Sequence, residues 1–378
     1  MNWLKGRKVT ASVVALSVLV AVPVTIAVLH EGFPVTDVDL SARDVWVTNA
    51  TELKAGRLNR QIEELNASVA AVSNDIDVLQ NGENVLLHDR SASSVERIDS
   101  AFTTLIQRAE LPPNSELSLG DTTLSILDPD SGELWVTSTA GELRFSTIDT
   151  KPIAKLGADA QSVVSSEGTV FAVSPTKKKL YAYPVAGGEA TVTALPALTD
   201  YQLSAAGEQA VILDLAKNRL VTDADTVIEL PDTGVKIQQV SATGGEVIVA
   251  TGSSLLRARL NDSTPQVITA NITNPVTKAG EVSSPVNLNG CAHGAWSGAS
   301  RYLAVCGDAS PSRQDIEPLA EGAKLEFRVN RNVIALNNLQ TGDVWLVDAN
   351  MRLVKNWEEV TPPQEDDGEE GDEKASTK

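Results

Sequence analysis

The sequence predicts an all-β fold, a β-propeller of seven or eight blades preceded by one transmembrane helix, and three observations carry that prediction. A short unit recurs: a β-branched apolar run, a small polar residue, a tight turn, then a second strand. It occurs at VWVTNA (45–50), VLLHDR (85–90), TLSILD (123–128), VFAVSP (170–175), AVILDL (210–215), VIVATG (247–252), YLAVCG (302–307) and VIALNN (333–338). From Thr48 to Asn338 the mean spacing is about 41 residues, the length of a four-stranded blade. Strand and turn signals alternate from 36 to 360, whereas no long window keeps a 3.6-residue apolar period; the best helical candidate, 57–72, is brief. Hydrophobic residues make up 42% of the chain but aromatics only 4%, so Val, Ile, Leu and Ala must fill the core of stacked sheets.

The first element is a cytoplasmic stub, 1–9, carrying Lys5, Arg7 and Lys8. Residues 10–29, from Thr10 to Leu29, are uncharged throughout, and 20 helical residues at about 1.5 Å each span a hydrocarbon layer of roughly 30 Å. The basic residues before them place the N-terminus inside and the bulk of the chain outside the plasma membrane. A cleaved signal peptide is the competing reading, but the apolar run exceeds a usual signal core and Thr25 with Ala27 makes a poor cleavage pattern. Residues 30–35 are a short connector, in which Gly32 and Pro34 oppose helix continuation.

The propeller domain is assigned to 36–360, with blades of the WD40/YncE-like kind. The segments DPDSGELW (128–135), NLQTGDVW (338–345) and SPTKKKLY (174–181) each place an aromatic seven residues after the turn opener. Asp, Asn or Ser at the opener bonds the turn backbone, Gly132 and Gly342 supply positive φ, and the aromatic packs between blades. The repeat stretches between Thr251 and Cys306 and then shortens to Asn338. Either TANITNPVTKAGEVSSPVNLNG is an insertion or 283–358 is one overgrown blade, so the blade count stays at seven or eight. Residues 361–378 (TPPQEDDGEEGDEKASTK) have the composition of an acidic disordered linker or tail, which suggests that further domains follow.

Charge and cysteine usage restrict partners and compartment. The whole chain carries −19; outside the membrane 28 basic residues face 50 acidic ones, and such a surface repels nucleic acid and anionic lipid. The two cysteines, Cys291 and Cys306, fall in one strand pair, GCAHGAWSGASRYLAVC, and are expected to form a disulfide in an oxidising exterior, with two buried thiols as the alternative.

No catalytic constellation sits on the repeat. His30, His88 and His293 share no metal-ligand spacing, and neither a GxSxG elbow nor a glycine-rich phosphate loop is present. With 50 acidic residues, a glycosidase pair cannot be nominated. DPDSGELW approaches a sialidase Asp-box and the start of a calcium loop, but it reads as a plain turn. No cofactor and no metal are expected. Trp46, Trp135 and Trp345 occupy repeat positions; Trp296 and Trp357 are the loose candidates for stacking on a sugar. The candidate binding face is therefore placed in the irregular parts, at Trp296, Asp308 and Arg313.

GCAHGAWSGASRYLAVCGD, FRVNRNVIALNN and the closing NWEEVTPP resemble a family of large actinobacterial surface proteins. The resemblance is sharp only over 290–363 and implies one N-terminal transmembrane helix, a propeller-like region and then tandem Ig-like or fibronectin type III domains. It implies a membrane-tethered, non-catalytic binding or scaffold module of the cell envelope whose partner is an envelope protein or polysaccharide. The alternative is a propeller enzyme acting on glycans or using a quinone cofactor. A channel lined by several carboxylates or arginines would favour that alternative.

Overall fold

The computed structural model describes residues 44–363 other than Asp225 and Ser263. The expected anchor between Thr10 and Leu29, its stub and connector, and the tail beyond 363 lie outside those residues. Among the described residues no helix is long and apolar enough to cross a membrane.

Eight antiparallel sheets succeed one another along the chain, which settles the count at eight blades. Blade 1 has three strands, β1 (Asp44–Asn49), β2 (Lys54–Asn59) and β3 (Glu64–Ala70); blade 2 begins with β4 (Ile76–Asn81) and, like every later blade, has four. Blades 2 to 8 cover residues 76–110, 116–155, 161–194, 201–229, 234–269, 286–315 and 325–354. The helical candidate at 57–72 is strand instead, because β2 and β3 pair and bury Leu58, Leu65 and Val69 on a strand period.

The repeat is the second strand of a blade at six of its eight occurrences, and in blade 1 it is β1, which corresponds to a second strand. At the seventh it is displaced: YLAVCG lies on the third strand (Arg301–Cys306), and the second strand is Cys291–Trp296. That displacement produced the apparent stretch after Thr251. With it corrected, second strands begin at 44, 84, 123, 170, 209, 246, 291 and 333. The segment before Cys291 connects blade 6 to blade 7 and is packed down, with Val276 and Val282 buried beside Trp296. Cys291 and Cys306 are paired in register across the second and third strands of blade 7 and form the disulfide. Closing a 15-residue separation contributes about 3 kcal/mol in the chain-entropy view.

Eight apolar clusters hold the ring, one at each blade interface, and Val, Leu, Ile and Ala supply most of them. Trp46 lies between blades 1 and 2, Trp135 between 2 and 3, Trp296 between 6 and 7, and Trp345 between 7 and 8. Trp296 and Trp345 are 0% exposed. At the last interface Trp357, from the segment after blade 8, packs on Gly56 of β2, where a Cβ would stand 2.7 Å from the indole. Its Nε1 donates to the carbonyl of Gly342 at 2.7 Å.

Ring closure has an unusual basis. β1 follows the sequence and direction of a second strand: Ala50, just past its end, donates to the carbonyl of Leu339, just past the second strand of blade 8 (Val333–Asn338). The innermost position of blade 1 is therefore not filled by a described strand, and β4 meets the first strand of blade 8 (Leu325–Asn330) directly through Arg328 and Asp77, 2.6 Å apart.

Unpaired peptide groups on an internal edge are costly. Here side-chain amides take the place of a strand. Gln80 on β4 accepts from Trp46 N at 2.8 Å and donates to Trp46 O at 3.0 Å. Asn337 accepts from Thr48 N at 2.9 Å and donates to Thr48 O at 3.1 Å, while Asn330 donates to Asp44 O at 3.1 Å. The edge-facing groups of residues 44, 46, 48 and 50 are thus paired in turn by the two flanking blades.

Removing one amide leaves a buried N–H and C=O together, so Asn337→Ala and Gln80→Ala should each lower unfolding stability by about 1–3 kcal/mol in denaturant titration. Gln61→Ala, on an exposed turn, serves as the control. A loss below about 0.5 kcal/mol for Asn337→Ala would contradict the role given to the amides.

Candidate functional site at the channel mouth

The first strands of blades 2 to 6 and of blade 8, with residues 238–240 and Ser284, line a central channel of about 540 Å³, with contributions from Asp77, Glu116, Gln161, Gln202, Lys236 and Glu326 among others. A first strand has only one neighbour in its own sheet, so its other edge presents peptide groups to the channel. Glutamines cover part of that edge by the same device as at β1. Gln161 donates to Tyr201 O and accepts from Leu203 N, at 2.9 and 2.8 Å; Gln202 treats Val235 O and Ile237 N alike, at 2.9 Å each. The amides both join neighbouring blades and make the wall polar.

Charge collects at one end. Asp77, Glu116 and Glu326 stand at or next to the start of their first strands, and Arg90 follows the second strand of blade 2, so all four lie on the face that carries the turns between second and third strands. We call this the far face; β1 begins at the opposite, entry face. Asp77 accepts from Arg328 Nη1 at 2.6 Å and from Arg90 Nη2 at 3.0 Å. Burial penalises its charge, but the two guanidinium groups outweigh that penalty and hold the carboxyl below the usual aspartate range. Arg328 is 4% exposed and also approaches Glu326 at 3.6 Å and Thr48 Oγ1 at 3.4 Å.

Glu326 and Glu116 are in the opposite condition. Both face the channel, where protein walls replace most of the bulk solvent, and desolvation raises their carboxyls above the usual glutamate range despite Arg328 near the first and Arg90 near the second. Two further polar atoms on lining residues, Ser204 Oγ and Gln238 Nε2, are buried with no partner in the protein. One cavity is thus lined by Asp77, Glu116, Glu326, Arg328 and Lys236, and the two unpartnered atoms are buried in its wall.

The candidate face drawn from the sequence is distributed otherwise. Trp296 is not on a surface: its indole is enclosed between blades 6 and 7 and donates to Thr251 O at 2.7 Å. Gly294 explains the tight fit, since a Cβ there would lie 2.7 Å from Leu255. Trp357 is likewise 3% exposed, so neither loose tryptophan has a free ring. Asp308 is exposed in the turn between third and fourth strands of blade 7, and Arg313, on that fourth strand, donates through Nε to Thr269 O at 2.8 Å. Asp308 and Arg313 share a hairpin on the rim of the ring, and Trp296 does not join them.

DPDSGELW forms a turn: Asp128 accepts from Asp130 N, Ser131 N and Ser131 Oγ, and Gly132 takes φ 69°. No group of three His, Cys, Asp or Glu among the described residues is placed to hold a metal ion. The channel groups were missed because 50 acidic residues masked the three that converge. The available signal was a glutamine on the first strands of blades 2, 4 and 5, at 80, 161 and 202, and one just after that of blade 6, at 238.

His88 and His293 are 2% and 9% exposed, and burial is the main force pushing each imidazole down to about 4. His293 is held by Tyr302 at 2.8 Å. A folded value below the unfolded one near 6.5 means that these groups contribute stability above pH 6.5 that is lost as pH falls toward 4. The loss is of order 3 kcal/mol for each. The raised carboxyls of Glu116 and Glu326 act in the opposite sense, favouring the folded state below about pH 4.5. Thermal midpoints measured from pH 7 to 4 should fall, and His88→Asn with His293→Asn should flatten that slope; an unchanged slope would refute the histidine assignment.

No family model and no curated protein matches the chain. Among solved structures it is similar to dihydro-heme d1 dehydrogenase NirN in complex with DHE, at 13% identity and TM-score 0.56, over 87% of this chain and 76% of that one. It is also similar to a catalytically inactive virginiamycin B lyase from Staphylococcus aureus with quinupristin (11%, TM-score 0.48, 70% and 91%) and to Citrobacter koseri AztD (10%, TM-score 0.49, 73% and 95%). At such identities the likeness is one of fold. The chain is a β-propeller of eight blades.

Proposed function

We propose that the chain is the binding propeller of a membrane-tethered envelope protein and that it takes the end of an envelope polysaccharide at the charged mouth of its channel. The observation that carries this reading is the convergence of Glu116, Glu326, Arg328 and Lys236 with Ser204 and Gln238 on one cavity of about 540 Å³. A cavity of that size admits a few sugar rings but no folded partner. Charged and hydroxyl-binding groups fixed by the ring suit a polyhydroxylated, amine- or carboxyl-bearing ligand. Tethering rests on the basic stub and the uncharged run from Thr10 to Leu29; the envelope setting rests on the resemblance over 290–363 and agrees with the disulfide.

Binding of fluorescent wall oligosaccharides to the full chain in detergent should weaken at least tenfold in Glu116→Gln with Glu326→Gln, while the thermal midpoint is kept. Equal binding by the variant, or none by the parent, would defeat the reading.

A second reading, a glycan-acting enzyme, is favoured by the carboxylates and arginine that line the channel, Asp77, Glu116, Glu326 and Arg328, and by the raised carboxyls of the two glutamates, as a general acid requires. Release of reducing ends from the bound oligosaccharide, abolished by the same variant, would select it over simple binding.

A further inference from the structure

Blade 3 has an unfinished outer edge. Its third strand (Glu133–Ser138) has six residues, but its fourth (Ala154–Lys155) has two and pairs only with Glu133 and Leu134. Residues 135–138 are left without a fourth-strand partner, whereas no other third strand among the described residues leaves more than two so. The segment between the two strands is the cause: Leu143 and Phe145 pack with Trp135 against blade 2, and the chain returns to the edge only at Ile153.

Successive residues of a strand send their peptide groups to opposite edges. Glu133 O and Thr139 N bond Asp128 N and Thr122 O, on the side of the second strand, so Leu134, Val136 and Ser138 point outward. Ile153 N donates to Leu134 O at 2.8 Å, but the outward groups of Val136 and Ser138 have no backbone partner among the described residues. Val136 is half-buried and Ser138 exposed.

A groove of about 440 Å³ runs beside this edge on the side of blade 4, lined by Val136, Ile153, Val170, Tyr183 and Val185 among others. Ile153 and Val185 are 44 and 57% exposed, although both border one cavity. The two ends of the groove differ in charge. Asp121, Glu167 and Glu189 are exposed on the turns at its entry-face end, and Lys177 and Lys179 are exposed at its far-face end, where the third strand of blade 4 (Lys179–Tyr183) begins.

We propose that blade 3 takes an extended peptide of a partner protein as the missing length of its fourth strand. An outward N–H and C=O at every second residue is the pattern that an added strand satisfies. Antiparallel addition continues the order of the blade, so the peptide runs from the entry face to the far face. Its residues opposite Ser138 and Val136 then turn their side chains to the groove, and two apolar side chains spaced two apart cover Val185 and Ile153. A basic residue before them meets Asp121, Glu167 and Glu189, and an acidic residue after them meets Lys177 and Lys179. The opposite charge order would set like charges together. This edge lies on the outer flank of the ring, so the proposal stands apart from the reading of the channel.

The test screens the full chain in detergent against hexapeptides with lysine first, glutamate sixth, and valine, isoleucine or leucine at the second and fourth positions. Members of the set should bind, and the best of them should slow amide exchange at Val136 and Ser138 at least tenfold. N-methylation at its second or fourth residue, whose amides face the strand, should weaken binding at least tenfold, and N-methylation at the third far less. Swapping its terminal charges should weaken binding several-fold. Ile153→Ser with Val185→Ser, both at exposed positions, should weaken binding about tenfold with the thermal midpoint kept. A set without binders, or a binder indifferent to N-methylation at the second and fourth residues, would overturn the proposal. Protection of Val136 and Ser138 that grows with protein concentration alone, as pairing with a second copy would give, overturns it too, as does protection by wall oligosaccharide without peptide.

Discussion

The interaction on which the molecule depends is the pairing of β1's inner edge by side-chain amides. A ring must bury every peptide group it encloses, and blade 1 brings an edge at residues 44, 46, 48 and 50 to the closure without a described strand to cover it. Gln80, Asn330 and Asn337 supply the missing donors and acceptors from both sides, and the apolar contact of Val45, Val47 and Trp357 with blade 8 closes the outer part. The amide of Asn or Gln carries the same donor and acceptor as a peptide group, which is why these residues, and not Ser or Lys, stand there. Because the innermost place of blade 1 is vacated by the strands described, β4 and the first strand of blade 8 come together, and that contact brings Asp77 to Arg328.

The site follows from this closure. Arg328 is buried by the junction of three blades, and its charge is stabilised by Asp77 and Glu326; burial in the same part of the channel wall raises Glu326 and, on blade 3, Glu116. Residues that close the ring therefore also line one end of the channel. The division of ends puts the start of β1 on one face and the charged mouth on the other.

Much of the fold was legible in the sequence, and the reasons are local. A second strand buried on both faces reads as a continuous apolar run closed by a small polar residue, as in AVILDL or VIALNN, and the turn openers Asp128 and Asn338 bond their own turns. The register failed once, in blade 7, because its second strand contains His293 and Gly294 and no longer reads as apolar, whereas its third strand, YLAVC, does. The candidate site was poorly legible. Trp296 follows a glycine-rich stretch that signals close packing between blades, not a loop, and the channel carboxyls become neighbours only when residues 77, 116 and 326 are brought to one end of a closed ring.

Amide hydrogen exchange at Trp46 and Thr48 in the native protein tests the closure most directly. If Gln80 and Asn337 pair that edge, both amides exchange as slowly as those of a fully enclosed second strand such as Val211–Asp214 in blade 5. Exchange of Trp46 and Thr48 at the rate of an exposed strand edge, while the neighbouring Val45 and Val47 remain protected, would contradict the account.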